Sequence, residues 1–295
     1  MIQSNAVSKA IEGVFGADGL ICGVTISLIC FVIIIKGSKT IAKLTEILVP
    51  MMSVGYLILS LAVIVIRKDI LLQAFASIIQ DAFGIDSAVG GILGFLTSRA
   101  LRTGTMRGLI SNEAGCGTAP MAHCSSSGAG AVEQGVFGIL EVFIDTIVLC
   151  TMTALVVIIN YEGINKSENW IMVTFEAYSK TLGSHSDKFL AIAVLCFGVA
   201  TILCWGHYGI EASEYFSKNK YSRTAFTLIY CFAVMIGARV SSESVWSIAD
   251  LAIGAMTVIN VAILLMMKNE VKRETDIYFA HKNAKKKNFK KDQKK

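Results

Sequence analysis

Apolar residues along this chain come in long blocks rather than alternating singly with polar ones. The blocks at 20–35, 47–66, 136–159, 189–204, 225–238 and 245–267 carry few charges. A helix needs about 20 mostly apolar residues to cross about 30 Å of hydrocarbon, and the shorter blocks reach that length through small neighbours. The pattern predicts an all-α polytopic membrane protein with about seven to eight helices. Pro50 falls near the start of a helix read at 44–66, where a proline costs little. Ser242 and Ser244 are candidate caps for the last apolar helix. Between blocks, "DILLQAFASIIQDAFG" sets Leu71, Leu72, Phe75, Ile78, Ile79 and Phe83 at helical spacing with polar residues opposite. That stretch predicts a helix lying along the outer membrane surface.

One region breaks the pattern. Residues 87–98 are apolar but too few to span, since twelve helical residues rise only about 18 Å. They run into "RGLISNEAGCGTAPMAH", residues 107–123, which is polar and holds three glycines and a proline. A broken helix at Ser87–His123 explains both features. Non-helical backbone survives at membrane depth only where protein buries it or where it lines a wet cavity, so the break marks a place where something polar binds. In the next block Glu141 and Asp145 stand four apart on one helix face. Intramembrane carboxylates are costly and point to function, although an inter-helix hydrogen bond would equally account for them.

Composition agrees with the pattern: 54% of the 295 residues are hydrophobic and 17% charged, too apolar for an ordinary soluble domain. The net charge of +5 is local. Residues 268–295 hold eleven Lys and Arg and read as a solvated, disordered cytoplasmic tail drawn to anionic lipid. Nucleic-acid binding is not expected without a folded basic module. Lys36, Lys39 and Lys43 share one loop, and Lys218, Lys220 and Arg223 another. With these loops and the tail cytoplasmic, residues 67–85 and 161–187 face outward. The chain therefore reads as residues 1–267 in the membrane and 268–295 as the tail. None of the eight cysteines forms a Cys-x-x-Cys pair, and Cys116, His123 and Cys124 lack a fourth ligand, so no metal centre is expected.

The string at 107–123 resembles the alanine or glycine:cation symporters, the sodium:alanine symporter family. The family's wording is Arg-Gly-Leu-Phe-Ser-Asn-Glu-Ala-Gly-x-Gly-Ser/Thr-Ala-Pro-x-Ala-His, and only Ile110 departs from it. "FIDTIVLCTMTALVV" (143–157), "TILCWGHYGIEASEYF" (201–216) and "QSN" (3–5) are similar to other family stretches. Ala131 stands where the family commonly has proline, Glu133 where it has a basic residue, and His207 where it has an aromatic.

The resemblance implies an inverted-repeat amino-acid transporter fold, incomplete because the family's N-terminal helices, including a broken first helix, precede the part matched here. It implies a half-helix N-terminus for the substrate carboxylate and freed carbonyls for sodium. Substrate contacts carry over to Gln3, Ile110, Ser111, Asn112, Thr201, Cys204 and Trp205, with Trp205 as a wall against bulky side chains. The cation would meet Asn112 and Thr201. Arg107, Gly108, Glu113, Gly115 and Gly117 would shape the break, with an Arg107–Glu113 pairing.

The function so implied is sodium-coupled symport of a small neutral amino acid, alanine or glycine, across the cell membrane. No cofactor is expected beyond the co-transported sodium ion, and the partners are the amino acid, sodium and the lipid bilayer. One alternative is a truncated, transport-inactive relic. Another is an intramembrane enzyme using Ser111 or His123, which is disfavoured because no nucleophile elbow or Ser/His spacing supports a catalytic residue.

Overall fold

The computed structural model describes residues 1–83, 91–113, 115–124, 126, 130–162, 164, 170–217 and 219–292. Lys166 and Lys218, on which part of the orientation argument rests, and residues 87–90 at the start of the expected broken helix, lie outside the described residues.

The described chain is helical: α1 (Ile2–Phe15), α2 (Gly19–Ile35), α3 (Ser38–Ile66), α4 (Lys68–Phe83), α5 (Gly91–Asn112), α6 (Ala119–His123), α7 (Ala131–Val142), α8 (Cys150–Ile159), α9 (Trp170–Leu182), α10 (His185–Phe216), α11 (Lys220–Gly237) and α12 (Ser242–Asp292). A π-helical segment, Phe143–Leu149, joins α7 to α8. Among the described residues, four stretches are long and apolar enough to cross a membrane: Ser38–Ile66, Ala131–Ile159, His185–Phe216 and Ser242–Lys282. The shorter apolar helices Gly19–Ile35 and Tyr221–Gly237 add to them.

Two compact units divide the chain. The first is Met1–Arg102 with Val148–Asp250, and the second is Thr103–Ile147 with Leu251–Lys295.

In the first unit α10 packs against α1, α2, α3, α9 and α11. Hydrocarbon offers no hydrophobic drive for helix association, so close packing and polar bonds must hold such helices together. Glycines permit the approach. A Cβ at Gly198 would stand 2.3 Å from Val7 Cγ2, and one at Gly23 would stand 2.6 Å from Ala238 Cβ. Ser27 Oγ donates to the Cys231 carbonyl at 2.7 Å, and Tyr230 OH to the Ile202 carbonyl at 2.7 Å. In a second core the Tyr178 and Ser60 hydroxyls share a hydrogen bond at 2.7 Å, both side chains fully buried. Along α3, Ile47, Met51, Val54, Ile58, Leu61 and Val65 form one exposed apolar stripe. The segment expected at the membrane surface forms helix α4, which sets Ala74 in a small core with Leu155 and Ile159.

Asn5 binds three helices together. Its Nδ2 donates to the carbonyls of Gly237 at 3.0 Å and Val240 at 2.8 Å, and its Oδ1 accepts from Ser242 Oγ at 2.8 Å. The carbonyls left over at the end of α11 are thus satisfied from α1. Beside this clasp, Arg239 pairs with Asp18, the N-cap of α2, at 3.3 Å.

Three expectations change. α3 begins at Ser38, so Pro50 lies inside the helix rather than near its start. The α12 cap is Ser241, whose Oγ accepts from the Ser244 backbone N–H, while Ser242 serves Asn5. The basic tail continues α12 to Asp292 rather than uncoiling. Its Lys, Glu, Arg and Ala residues are good helix formers, and an existing helix extends without a fresh nucleation cost.

Candidate functional site

The break in the polar string is short. α5 runs unbroken through Arg107, Gly108, Ile110 and Ser111 to Asn112. The helix stops where Glu113 takes a left-handed conformation, φ 53°, and Gly117 follows at φ 82° before α6 begins at Ala119. A non-glycine residue in that region costs on the order of 1–3 kcal/mol, so the surroundings must enforce it. Thr118, 2% exposed, donates to Glu113 Oε2 at 3.1 Å. The Cys116 backbone N–H donates to the Glu113 carbonyl at 2.9 Å. Pro120 sits in the first turn of α6, where its missing N–H is harmless.

A second helix props the break. Asn260 of α12 donates from Nδ2 to the Gly115 carbonyl at 2.9 Å. Its Oδ1 lies 3.0 Å from where a Cβ on Gly117 would be, a tight contact that adds to the backbone strain any other residue would bear at φ 82°. The buried Cys116 turns its Sγ toward the Leu109 carbonyl and the Thr257 hydroxyl, at 3.6 and 3.7 Å.

The two carboxylates of the following helix divide between the two sides of the break. Asp145 Oδ2 accepts from Ser111 Oγ at 2.7 Å, and the Thr146 hydroxyl lies 3.4 Å from the same Oγ. Glu141 Oε2 lies 3.2 Å from His123 Nε2 at the end of α6. Asp145 and Thr146 fall within the π-helical segment, a rare winding that often marks functional sites. Further along, Glu133 Oε1 accepts from Tyr278 OH of α12 at 3.0 Å.

The residues expected to meet substrate and cation are half-buried and lie in two sets. Ile110, Ser111 and Asn112 form the last turn of α5, in the second unit. Gln3, Thr201, Cys204 and Trp205 belong to the first unit. Thr201, Cys204 and Trp205 share a face of the unbroken helix α10, with the Trp205 ring 6.4 Å from that of Tyr208. The Thr201 hydroxyl donates to the Phe197 carbonyl at 2.9 Å. Gln3 begins α1, and its carbonyl oxygen lies 3.5 Å from the Cβ position of Gly198. Of the residues expected to shape the break, Glu113, Gly115 and Gly117 lie in the break itself, while Arg107 and Gly108 lie in the helix before it. Asn260 and Thr118 were not anticipated. The available signal for Asn260 was an amide standing alone in the apolar run 251–267. Among the described residues no cluster of three His, Cys, Asp or Glu side chains could hold a metal.

The sequence profile of the Sodium:alanine symporter family matches residues 1–293. The chain is 31% identical over 284 residues to the sodium/alanine symporter AgcS of Methanococcus maripaludis, covering 94% of this chain and 61% of that protein. It is 34% identical over 268 residues to the probable sodium/glutamine symporter GlnT of Bacillus subtilis, covering 90% and 55%. A sodium/proton-dependent alanine carrier protein of a Bacillus species is 29% identical over 285 residues, covering 90% and 63%. The chain thus spans 55–63% of the length of these three relatives. The family is one of carriers, which sets the intramembrane-enzyme reading aside, and its apolar spans are those of a multi-pass membrane protein. Matched over nearly its whole length, the chain belongs to the sodium:alanine symporter family.

Proposed function

We propose that the chain serves sodium-coupled symport of a small neutral amino acid, alanine or glycine, across the cell membrane. The observation that carries this reading is the propped break at Glu113–Thr118, a polar, non-helical segment in an otherwise apolar helical chain. Backbone groups freed from a helix are expensive in lipid and persist where they meet protein or a polar ligand. The names of relatives, a sodium/alanine symporter and a sodium/proton-dependent alanine carrier, agree with it.

Roles follow residue by residue. Ser111 and Asn112 offer a hydroxyl and an amide at the end of α5, and Ile110 an apolar contact beside them. Asn112 and Thr201 contribute oxygen to the cation. Gln3 and Cys204 complete the substrate contacts, and Trp205 sets an upper limit on side-chain size. Arg107, Gly108, Glu113, Gly115 and Gly117 maintain the break.

Uptake of radiolabelled alanine, glycine and glutamine into a strain lacking its own carriers tests this reading. Uptake of alanine or glycine that collapses when choline replaces sodium is the expected result. Preference for glutamine would overturn the substrate assignment. Uptake of none of them, with the chain present in the membrane, would overturn the reading.

A further inference from the structure

A cavity of about 210 Å³ opens where α1 ends, α2 begins and α11 gives way to α12, lined by Lys9, Glu12, Asp18, Gly19, Ala238 and Arg239. Pockets that hold drug-sized ligands run to about 300–1,000 Å³, so this one suits a group of only a few heavy atoms. Gly19 keeps it open, since a Cβ there would stand 2.8 Å from Ser8 Oγ and 3.8 Å from Glu12 Oε2. Two of the lining side chains are cationic and two anionic, so they sum to no net charge. Asp18 and Arg239 pair with each other at 3.3 Å, both exposed, which is a weak contact in water. Lys9 and Glu12 stand three apart on α1, yet among the described residues neither side chain makes a hydrogen bond or an ion pair. A simple cation or anion would meet as much repulsion as attraction here. A group carrying both charges a few bonds apart meets a partner for each.

The cavity also sits at the right depth for a lipid. α2 has 17 residues and rises about 26 Å, nearly the thickness of the hydrocarbon, so its first turn lies at headgroup level. Away from the cavity, α2 exposes Ile21, Leu28 and Val32 along one face, and α11 exposes Ile229, Phe232 and Ile236 along one of its own. From this charge pattern and these apolar faces we infer that the cavity binds the headgroup of a phospholipid bearing a primary ammonium, a phosphoethanolamine, with acyl chains along α2 and α11. Lys9 meets the phosphate as a point charge, and Arg239 adds the N–H groups that Asp18 leaves unused. Glu12 accepts from the ammonium. A choline head has no N–H to donate and a glycerol head has no cation, so both forgo the charge-assisted bond to Glu12. The bound lipid joins α1, α2 and the α11–α12 connection, and nothing in this site depends on which solute the chain carries.

The test is native mass spectrometry of the purified full chain with dioleoyl phosphatidylethanolamine, phosphatidylcholine or phosphatidylglycerol added in the same detergent. The ethanolamine lipid should be retained about tenfold better than either other, the scale of one charge-assisted hydrogen bond. Glu12→Gln should remove the preference over phosphatidylcholine. It also leaves the cavity net positive, so retention of phosphatidylglycerol should rise. Lys9→Gln should weaken retention of all three lipids, because each carries the phosphate. Lys43→Gln, in the basic stretch at the start of α3, should change nothing. Equal retention of the three lipids by the unsubstituted chain would overturn the inference without need of any variant. An ethanolamine preference unaltered in both Glu12→Gln and Lys9→Gln would overturn it too. Release of the ethanolamine lipid by added free alanine would overturn it in favour of an amino acid as the occupant.

Discussion

At the scale of single residues, Asn5 shows how much one side chain can hold. It is 5% exposed and all three of its hydrogen bonds reach sequence positions more than 230 residues away. Asn5→Ala would leave two carbonyls and a hydroxyl without their partner, at about 1–3 kcal/mol for each group that stays dry. A clear fall in the thermal midpoint of the detergent-solubilised protein should follow. Asp18 is governed by solvent instead. The backbone N–H of Leu20 and, more weakly, Arg239 hold its carboxyl below the usual carboxylate range. A depressed folded value means the stabilisation is complete above the ordinary carboxylate range and is lost as pH falls through the lowered value. Asp18→Asn should therefore lower the midpoint at neutral pH, and the gap should close on strong acidification. For function, Asn112→Ala and Trp205→Ala should cut amino-acid uptake far more than protein level, whereas Lys286→Ala in the tail should change little. Unchanged uptake per molecule in both pocket variants would remove them from the site. The sequence singled out Glu113, Gly115 and Gly117 because glycines and charges are conspicuous in an apolar chain. It could not reveal that Asn5 reaches Gly237, because a hydrogen bond across the fold leaves no local trace.

Among the elements, apolar length was a dependable guide, and every block read as a helix forms one. Local propensity was weaker at marking where helices stop. α5 continues through a polar face to Asn112 although Gly104, Gly108 and several Ser, Thr and Asn residues in 103–112 are poor helix formers, and that stretch holds no proline to break it. The stop is made by Glu113 and held by side chains from elsewhere. The π-helical segment was illegible for a similar reason, since no residue type favours that winding in advance. Helix contacts depend on small residues that the sequence shows without their partners. Gly198 meets Val7, which is fully buried and has no room to yield. Gly198→Leu should separate α1 from α10 and destabilise the chain by about 1–3 kcal/mol or more. Adding Val7→Ala should restore part of the loss. Equal thermal midpoints for the single and double variants would mean that the two positions do not compete for space.

For the molecule as a whole, the charges set an orientation that labelling can check. Lys39→Cys and Lys218→Cys should react with an impermeant reagent only in opened membranes, and Asp81→Cys and Lys166→Cys in intact cells, with the exposed Cys124 and Cys150 replaced by serine. Labelling at 218 from outside would invert the assignment. The first unit is consistent with this pattern: the α1–α2 and α11–α12 connections meet through Asp18 and Arg239, as two loops on one side of a membrane can. The wide winding between α7 and α8 bears on how such a chain works. A turn that bonds five residues ahead rather than four holds slack of one residue. If it tightened to an ordinary turn, the preceding stretch Ala131–Val142 would revolve by about 100° about its axis. Glu141, which lies in that stretch, would swing off His123, while Asp145, inside the winding itself, would turn through a smaller angle. The two carboxylates are therefore geared unequally to the same slack residue.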